Sequence, residues 1–414
     1  MGLTLKGIAN AIIRMPEAAI KAYQHPQFWN LEALEWGNSG YLLAACVVGL
    51  ITVIVYANYI GSDVTNRDGS YGIGSSSDAA KPDANRPPIP PPTEIVSLRV
   101  YPIKSCRGFD VDSTRLRKAG LTLDRNWMFI DKSSRKFLTI RSDPSMTLID
   151  TSLADGEGEF AGQQMLEVSI HNTEGRISIP AFPSKTWLES NTTLETVEIW
   201  EQNTDGYIYS DSINAIFSKF FDKDVALVYK GPTDRLVAIN GKPELYGKDV
   251  PHHFADVMSL QIASEASIKD LNKRLGHKPS SPDSLTIERF RPNIIIRGRD
   301  DHPWEEDTWK RIRISTSIPA EEALYKIDLD VVARCARCQV PNVNPDTAEK
   351  NAKQPWDTLM KFRRVDDGGP AKWKPCFGMM CIPKNEGKVA VGARLEVLET
   401  TDKHLYSLRA FKDL

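Results

Sequence analysis

Short alternating segments recur along this chain from residue 94 onward, and they constrain its fold more than any other feature. The first, "EIVSLRV", places Val96, Leu98 and Val100 two residues apart, which is the period of a half-buried strand. Similar segments, each bounded by Gly, Asp, Ser or Pro, lie at 125–131, 135–141, 165–171, 176–180 and 194–200. Many short strands separated by turn residues predict a small barrel or sandwich.

Beyond about residue 200 the pattern mixes helices with strands. Residues 210–221 and 264–276 have helical spacing, and in the second segment Ser264 is placed to cap the start and Gly276 to end the helix. Strand patterns return at 290–298, 325–332 and 388–399. The chain is therefore predicted to be mostly β, with α/β elements.

A predominantly apolar run without charged residues occupies residues 41–61. Roughly 20 apolar residues in a helix cross a bilayer core of about 30 Å. We interpret the run as an uncleaved transmembrane helix, because it begins too far from the N-terminus for a signal peptide; a buried core helix is the alternative. Residues 1–40 then form a targeting arm. Residues 62–93, rich in Gly, Ser, Asp and Pro, form a disordered tether.

The overall charge excludes some partners. Lys and Arg number 52 against 54 Asp and Glu, a formal net charge of −2, so nothing predicts a nucleic-acid partner. The 414 residues suffice for two or three domains. Six cysteines are too few and too unevenly spread for a secreted disulfide framework, which favours a reducing compartment.

Cys335 and Cys338 stand at CxxC spacing in "VVARCARCQVPNVNPDT". A structural zinc site needs four ligands, and Cys376, Cys381 and His302 are the other candidates. A redox dithiol needs a helix directly after the pair, whereas the turn sequence "NVNPDT" follows here. Zinc, a redox pair and two ordinary thiols all remain open at this point.

Cationic and hydroxyl residues accompany these thiols and the strand ends. Arg334 and Arg337 each precede a cysteine, and a cationic neighbour favours the thiolate form that binds metals. Donors suited to an anionic group end the strand pattern near residue 100, namely Lys104, Ser105 and Arg107. Arg291 and Asn293 stand just before and within the apolar strand pattern at 290–298. Together these residues predict an anion pocket near a thiolate.

Five segments identify a resemblance. "VYPIKSCRG", "LDRNWMFID", "SEASIKDLNKRL", "RFRPNIIIRG" and "RCQVPNVNPDT" occur in the order found in MOSC-domain proteins, and the chain resembles a fungal-type relative of the mitochondrial amidoxime reducing components. The resemblance covers about residues 94 to 400. It implies an N-terminal β-barrel domain at 94–230 and a MOSC β-barrel domain at 231–405, preceded by the transmembrane helix.

The resemblance also implies a molybdenum cofactor, Mo-molybdopterin, with Cys338 as the metal ligand and catalytic residue; Cys335 is then a bystander. At Val257 and Met258 the animal proteins commonly have small hydroxyl residues, and at Met380 an aromatic residue, so this chain departs from that pattern. The implied cofactor-binding residues are Lys104, Ser105, Arg125, Met258, Ser259, Arg291, Asn293 and Arg337.

The activity implied by the resemblance is reduction of small N-hydroxylated compounds, such as amidoximes and hydroxylamines. Cytochrome b5 and NADH-cytochrome b5 reductase would supply the electrons, since no dinucleotide fingerprint or ferredoxin cysteine spacing occurs in the chain. Basic segments that could receive cytochrome b5 lie at 115–118, 132–136 and 361–364. Two rivals stand beside this reading: a cofactor carrier or sulfur-transfer protein, and a zinc-structured module without catalysis.

The resemblance implies anchoring in the mitochondrial outer membrane, with the catalytic part facing the cytosol. An ER or peroxisomal membrane is equally compatible with the anchor and tether. The Lys/Arg balance on the two sides of the anchor does not decide its orientation.

Overall fold

The computed structural model of the chain describes residues 86–236, 250–278, 281–318, 321, 323–366 and 372–404. The predicted targeting arm, the predicted membrane anchor and most of the predicted tether lie outside these residues. Within the described ranges, no helix is long and apolar enough to cross a bilayer.

Strands dominate the described residues, as predicted. Those before residue 200 are β1 (Thr93–Val100), β2 (Phe109–Asp110), β3 (Ser113–Arg117), β4 (Gly120–Leu121), β5 (Trp127–Asp131), β6 (Ile149–Asp155), β7 (Gln164–Ile170), β8 (Arg176–Pro180) and β9 (Thr192–Ile199). The later strands are β10 (Gln202–Tyr209), β11 (Val225–Lys230), β12 (Arg235–Leu236), β13 (Pro251–His252), β14 (Leu260–Ser264), β15 (Ile294–Ile296), β16 (Trp309–Ile318), β17 (Ala323–Ala336), β18 (Cys376–Pro383), β19 (Gly387–Ala390) and β20 (Arg394–Thr400). The described α-helices are α1 (Lys185–Asn191), α2 (Asp211–Phe221), α3 (Glu265–Leu275) and α4 (Trp356–Phe362).

Seven of these strands close into a barrel. Their order is β1, β15, β14, β18, β17, β16 and β20, and β20 pairs again with β1. β14 and β15 run parallel, and the other neighbours run antiparallel. Aliphatic side chains such as Leu98, Ile294, Ile314, Leu329 and Leu395 fill the interior. Closure removes the free sheet edges, and the prediction of a mostly β chain that contains a barrel is confirmed.

β1 belongs to this barrel although it begins the predicted N-terminal domain. The register of β1 against β15 shifts between Ile95 and Ser97, and the buried side chains are Ile95, Leu98 and Val100. Strict alternation predicted Val96 in place of Ile95. That prediction is wrong because a bulge inserts one extra residue and changes the phase of the strand.

The segment from β5 to β11 builds a second core. Strands β5, β11, β10 and β9 form one sheet, and β6, β7 and β8 form another. Helix α2 packs its apolar face on β11 and β5, where the rings of Phe217 and Phe129 lie 4.9 Å apart. The indole Nε1 of Trp127 donates to the Tyr209 hydroxyl at 3.1 Å, which satisfies a buried donor.

Residues 135–141 do not form the predicted strand. Only single bridges occur there, at Lys136 and Phe137. Arg135 has a φ of +59°, and the amides of Ser142 and Asp143 both donate to the Thr139 carbonyl in a tight turn. The turn takes the chain out of the sheet and leaves Arg141 free to reach the site described below.

Helix α3 is the element that the sequence predicted most closely. Its N-cap Ser264 accepts a hydrogen bond from the Ser267 amide at 3.1 Å, and its C-cap Gly276 has a φ of +78°. The αL conformation costs a glycine little, so both ends of the helix follow from local residue chemistry.

Candidate functional site

A cavity of about 140 Å³ lies between four parts of the chain. They are the turn after β1, the residues just before β15, the end of β17 and the residues before β14. A water molecule needs only about 10–15 Å³ of such space, so the cavity admits a larger group. Nearly all of the predicted site residues line it, and Ser259 does not. The lining residues among those predictions are Lys104, Ser105, Arg125, Met258, Arg291, Asn293, Arg337 and Cys338.

Two residues with left-handed backbone, one after β1 and one just before β5, lie at the cavity. Ser105 and Arg125 have φ angles of +69° and +53°, in the left-handed region that non-glycine residues rarely adopt. The Lys104 amide donates to the Trp127 carbonyl at 2.8 Å, and the Arg125 amide donates to the Tyr101 carbonyl at 2.8 Å. These bonds hold the left-handed residues, and such strain is typical of functional sites.

Arg125 and Arg291 both stack on one aromatic residue, Tyr101. Their guanidinium carbons lie 4.4 and 4.3 Å from the centre of the Tyr101 ring. Arg125 donates to both carboxylate oxygens of Asp124, at 2.6 and 2.5 Å, and to the Arg291 carbonyl at 3.2 Å. The stacking of Arg125 on the Tyr101 ring and its ion pair with Asp124 fix the Arg125 side chain.

Arg291 is the less satisfied of the two arginines. Its Nη1 donates to the Cys106 carbonyl at 2.7 Å, and its buried Nη2 has no hydrogen-bond partner among the described residues. Burial, together with the like charge of Arg125, lowers the pKa of Arg291 to about 10. A buried cationic donor of this kind is costly unless an acceptor reaches it.

Asn293 ties the barrel together beside the cavity. Its Nδ2 donates to the Arg99 carbonyl at 3.2 Å, and its Oδ1 accepts from the Gln261 amide at 3.3 Å. Both bonds go to the backbone of neighbouring strands, β1 and β14. Asn293 therefore positions the wall of the site as well as lining it.

Both cysteines of the CxxC pair line the cavity. Arg337 donates to the Cys335 sulfur at 3.0 Å, to Gln261 Oε1 at 3.2 Å and to the Phe290 carbonyl at 2.8 Å. Cys338 also lines the cavity, and all the described cysteines are free thiols. Arg337, which directly precedes Cys338 in the sequence, thus donates its hydrogen bond to the sulfur of Cys335.

Arg334 does not take part in this site. It is buried and contacts the Asp366 carboxylate at 3.5 Å and the Asp307 carbonyl at 3.1 Å. Arg107 also differs from the prediction: it pairs with Asp346 and Glu288 outside the cavity. The anion pocket is built from the other cationic residues.

Arg141 and Asp256 are site residues that were not predicted. Asp256 accepts hydrogen bonds from Lys104, from Arg141 at 3.3 Å and from Trp200 Nε1 at 2.9 Å. The guanidinium carbon of Arg141 stacks on the Trp200 ring, 4.9 Å from its centre, and Arg141 lines the cavity together with Cys338. Asp256 stands two residues before the predicted Met258 in "DVMS". Arg141 lies in the segment 135–141, which was interpreted as a strand.

This network sets the charge states on one side of the cavity. Burial lowers the pKa of Lys104 to about 8, against the opposing effect of Asp256. Although burial raises the pKa of the Asp256 carboxyl, Lys104 and Arg141 hold it well below its usual value. Although burial lowers the pKa of Arg141, Asp256 and Cys338 raise it above its usual value. Asp256 is consequently an anion that contacts two cationic side chains, Lys104 and Arg141.

The two predicted cofactor residues before β14, Met258 and Ser259, have different surroundings. Met258 is 8% exposed and shares an apolar cluster with Met380, Val332 and Ile382. Ser259 is buried outside the cavity lining. Gly120, with a φ of +114°, lies so close to Ser259 that a Cβ there would be 2.9 Å from the Ser259 carbonyl oxygen, so this serine packs against the turn between β3 and β4.

The cavity carries a marked excess of positive charge. Its described lining holds five basic side chains, Lys104, Arg125, Arg141, Arg291 and Arg337, against one carboxylate, Asp256. Within the described ranges, no three His, Cys, Asp or Glu side chains come close enough to hold a metal ion among themselves. The site therefore suits an anionic group near the thiols of Cys335 and Cys338.

Two domain families match this chain. The MOSC N-terminal beta barrel domain family matches residues 93–224, and the MOSC domain family matches residues 249–396. Mitochondrial amidoxime-reducing component 1 of Danio rerio is 26% identical over 304 residues, and component 2 of Homo sapiens is 27% identical over 306. These alignments cover 72% of this chain and 82% and 81% of those proteins.

A second group of relatives is longer. The molybdenum cofactor sulfurase of Oryza sativa is 30% identical over 319 residues, which are 73% of this chain and 34% of that protein. The chain thus spans about a third of that sulfurase and about four fifths of the two amidoxime reducing components. Every predicted cofactor residue lies within the two matched ranges. The chain is a member of the MOSC-domain proteins that carry a MOSC N-terminal β-barrel domain.

Proposed function

We propose that this chain is a molybdenum-cofactor-dependent reductase of N-hydroxylated compounds. The observation that carries the proposal is the cavity in which five basic side chains surround one carboxylate and a half-buried thiol, Cys338. Relatives named as amidoxime reducing components and as molybdenum cofactor sulfurases support the cofactor assignment.

The residues present fit an anionic, phosphate-bearing cofactor. Three buried arginine nitrogens in the lining have no hydrogen-bond partner among the described residues: Arg141 Nε, Arg291 Nη2 and Arg337 Nε. Arg291 and Arg125, fixed on Tyr101, would hold the phosphate together with Ser105. Cys338 would ligate the metal, because a soft thiolate suits molybdenum.

The reaction removes one oxygen atom. An amidoxime, two electrons and two protons give an amidine and water, and the bond that breaks is N–O. The bound molybdenum centre supplies the two-electron exchange. Lys104 Nζ holds a proton in its contact with Asp256 at the cavity wall, and its lowered pKa brings that proton near the range useful for transfer.

Cytochrome b5, reduced by NADH-cytochrome b5 reductase, is the proposed electron source. Of the three basic segments, 132–136 is neutralised by pairs such as Lys132 with Asp211 and Arg135 with Glu195. In 361–364, Arg363 is buried against Asp307 at 2.6 Å. The segment 115–118 remains exposed at Arg115, Arg117 and Lys118, and we propose that it receives the acidic haem protein.

The names of the amidoxime reducing components also support a mitochondrial association. We propose the outer membrane, with the catalytic part facing the cytosol. A tag at the C-terminus of the full chain should be digested by protease added to intact mitochondria; a protected tag, or a signal from ER or peroxisomes, would point elsewhere.

The activity is tested with purified full-length chain, benzamidoxime and two alternative donors. Reduced cytochrome b5 and a reduced viologen should each support formation of one benzamidine per two electrons, measured by liquid chromatography. If the viologen supports turnover and cytochrome b5 does not, cytochrome b5 is not the electron donor, and the proposed reductase activity still stands. A chain that holds the cofactor but reduces no N-hydroxylated compound with either donor would instead be a carrier or sulfur-transfer protein, which the similarity to sulfurases favours as the alternative.

A further inference from the structure

A second cavity, of about 200 Å³, adjoins the first at Cys338. The two share Ile140, Arg141, Cys338 and Val340 in their linings. The second cavity lacks the cluster of arginines found in the first. Its described lining is Ile140, Arg141, Cys338, Gln339, Val340, Val343 and Lys350, and Lys350 is exposed.

The turn after Cys338 places that lysine. Val343 and Lys350 form an antiparallel bridge, and residues paired in this way direct their side chains to the same side. The loop between them is closed by the Asn344 amide, which donates to the Glu349 carbonyl at 2.8 Å. Arg107 contacts Asp346 and fastens the loop to the turn after β1.

A second set of bonds holds the chain on the far side of the bridge. The Asn351 amide donates to the Asn342 carbonyl at 2.9 Å, and Asn342 Nδ2 donates to the Asn351 carbonyl at 3.0 Å. Lys350 is thus carried on a braced backbone even though its side chain is exposed. A braced cation at the mouth of a cavity is suited to selecting ligands by charge.

The charge of the second cavity is one-sided. Arg141 and Lys350 are cationic, and none of the described lining residues carries a carboxylate. Asp256 pairs with Arg141 from the first cavity, and no described carboxylate pairs with Lys350. Ile140, Val340 and Val343 supply apolar surface between the thiol and the lysine, as expected of a site for an aromatic or aliphatic body with one charged end.

We propose that this second cavity is the route by which substrate reaches Cys338, and that it selects N-hydroxylated compounds bearing an anionic group, such as a carboxylate, at the end remote from the N-hydroxyl. The proposal rests on the reductase function proposed above and adds the substrate class. The N-hydroxyl end lies toward Cys338, and the anionic end pairs with Lys350.

Binding tests the inference without turnover. With purified full-length chain, 4-carbamoylbenzoate should bind about tenfold more tightly than benzamide, a difference of about 1.4 kcal/mol. Lys350→Met should remove the difference and Lys350→Arg should keep it. Lys353→Met, which alters an exposed lysine three residues away and outside the cavity lining, should also keep it. Equal binding of the two ligands to the unaltered chain would overturn the inference.

Turnover with a reduced viologen gives the second readout. The ratio of kcat/KM for 4-carboxybenzamidoxime to that for benzamidoxime should be about ten or more, and Lys350→Met should bring it near one. A ratio of one or less in the unaltered chain, or an equal fall in Lys350→Met and Lys353→Met, would refute the selection. If neither compound turns over but the binding difference persists, the reductase function fails and the anion-selective cavity stands.

Discussion

Cys338→Ala should reduce both the molybdenum content and the benzamidoxime reductase activity of the purified chain to background. Cys338 stands at the junction of the two cavities, and all the cysteines described are free. Within the described residues no other thiol, apart from Cys335, lines either cavity. Metal analysis and the viologen assay on one preparation measure both losses, and a thermal unfolding curve checks that the variant is folded.

Cys335→Ala is the matched control. It removes a sulfur three residues away that accepts a hydrogen bond from Arg337, while Arg337 keeps its bonds to Gln261 and Phe290. We expect this variant to keep most of the molybdenum and most of the activity. Equal losses in the two variants would mean that the pair acts as a unit and would contradict the assignment of Cys338 as the single ligand.

Arg291→Met should lower the cofactor content at least about tenfold, because a hydrogen bond to a charged group contributes about 1.5–3 kcal/mol. The same change should alter the free energy of unfolding of the cofactor-free chain by less than about 1.5 kcal/mol, since losing the bond to the Cys106 carbonyl is offset by relief of a buried, incompletely paired charge. Pterin fluorescence after release and urea denaturation measure the two quantities.

Arg297→Met is the control for this prediction. Arg297 follows β15 at its other end, is exposed, and pairs with Glu94. Its replacement should leave the cofactor content unchanged, since surface ion pairs contribute little. If Arg291→Met unfolds the chain while keeping the cofactor in the folded fraction, then Arg291 is a structural residue and does not bind the cofactor.

Local residue chemistry accounted for much of the fold. Ser264 and Gly276 bound α3 because capping is decided within a few residues. The alternation that predicted β7 and β8 reflects the burial of one face. The same alternation misplaced the inward face of β1, because the shift between Ile95 and Ser97 depends on pairing with β15, almost 200 residues away.

The sequence predicted those site residues that belong to a recognisable motif. Lys104, Arg125, Arg291 and Cys338 line one cavity as expected from the resemblance. Arg141 was missed because alternation predicted a strand at 135–141, whereas the Thr139 turn directs this arginine to the cavity. No pattern in one segment reports a contact of this kind between distant parts of the chain.

The second cavity shows the same limit. The sequence showed a turn after Cys338, but it did not show which residues the turn brings together. They are Val343 and Lys350, which form a bridge that depends on bonds from Asn342 and on the contact between Arg107 and Asp346. The turn thus contributes a lysine to the mouth of a cavity that begins at the preceding cysteine.

The metal content of the purified full-length chain tests the central claim most directly. Elemental analysis by plasma mass spectrometry should find about one molybdenum per chain in protein from a host that makes the cofactor, since one cysteine serves as one ligand, with zinc well below that amount. Molybdenum should be absent from protein made in a host that cannot make the pterin. Stoichiometric zinc without molybdenum, from the cofactor-producing host, would contradict the account.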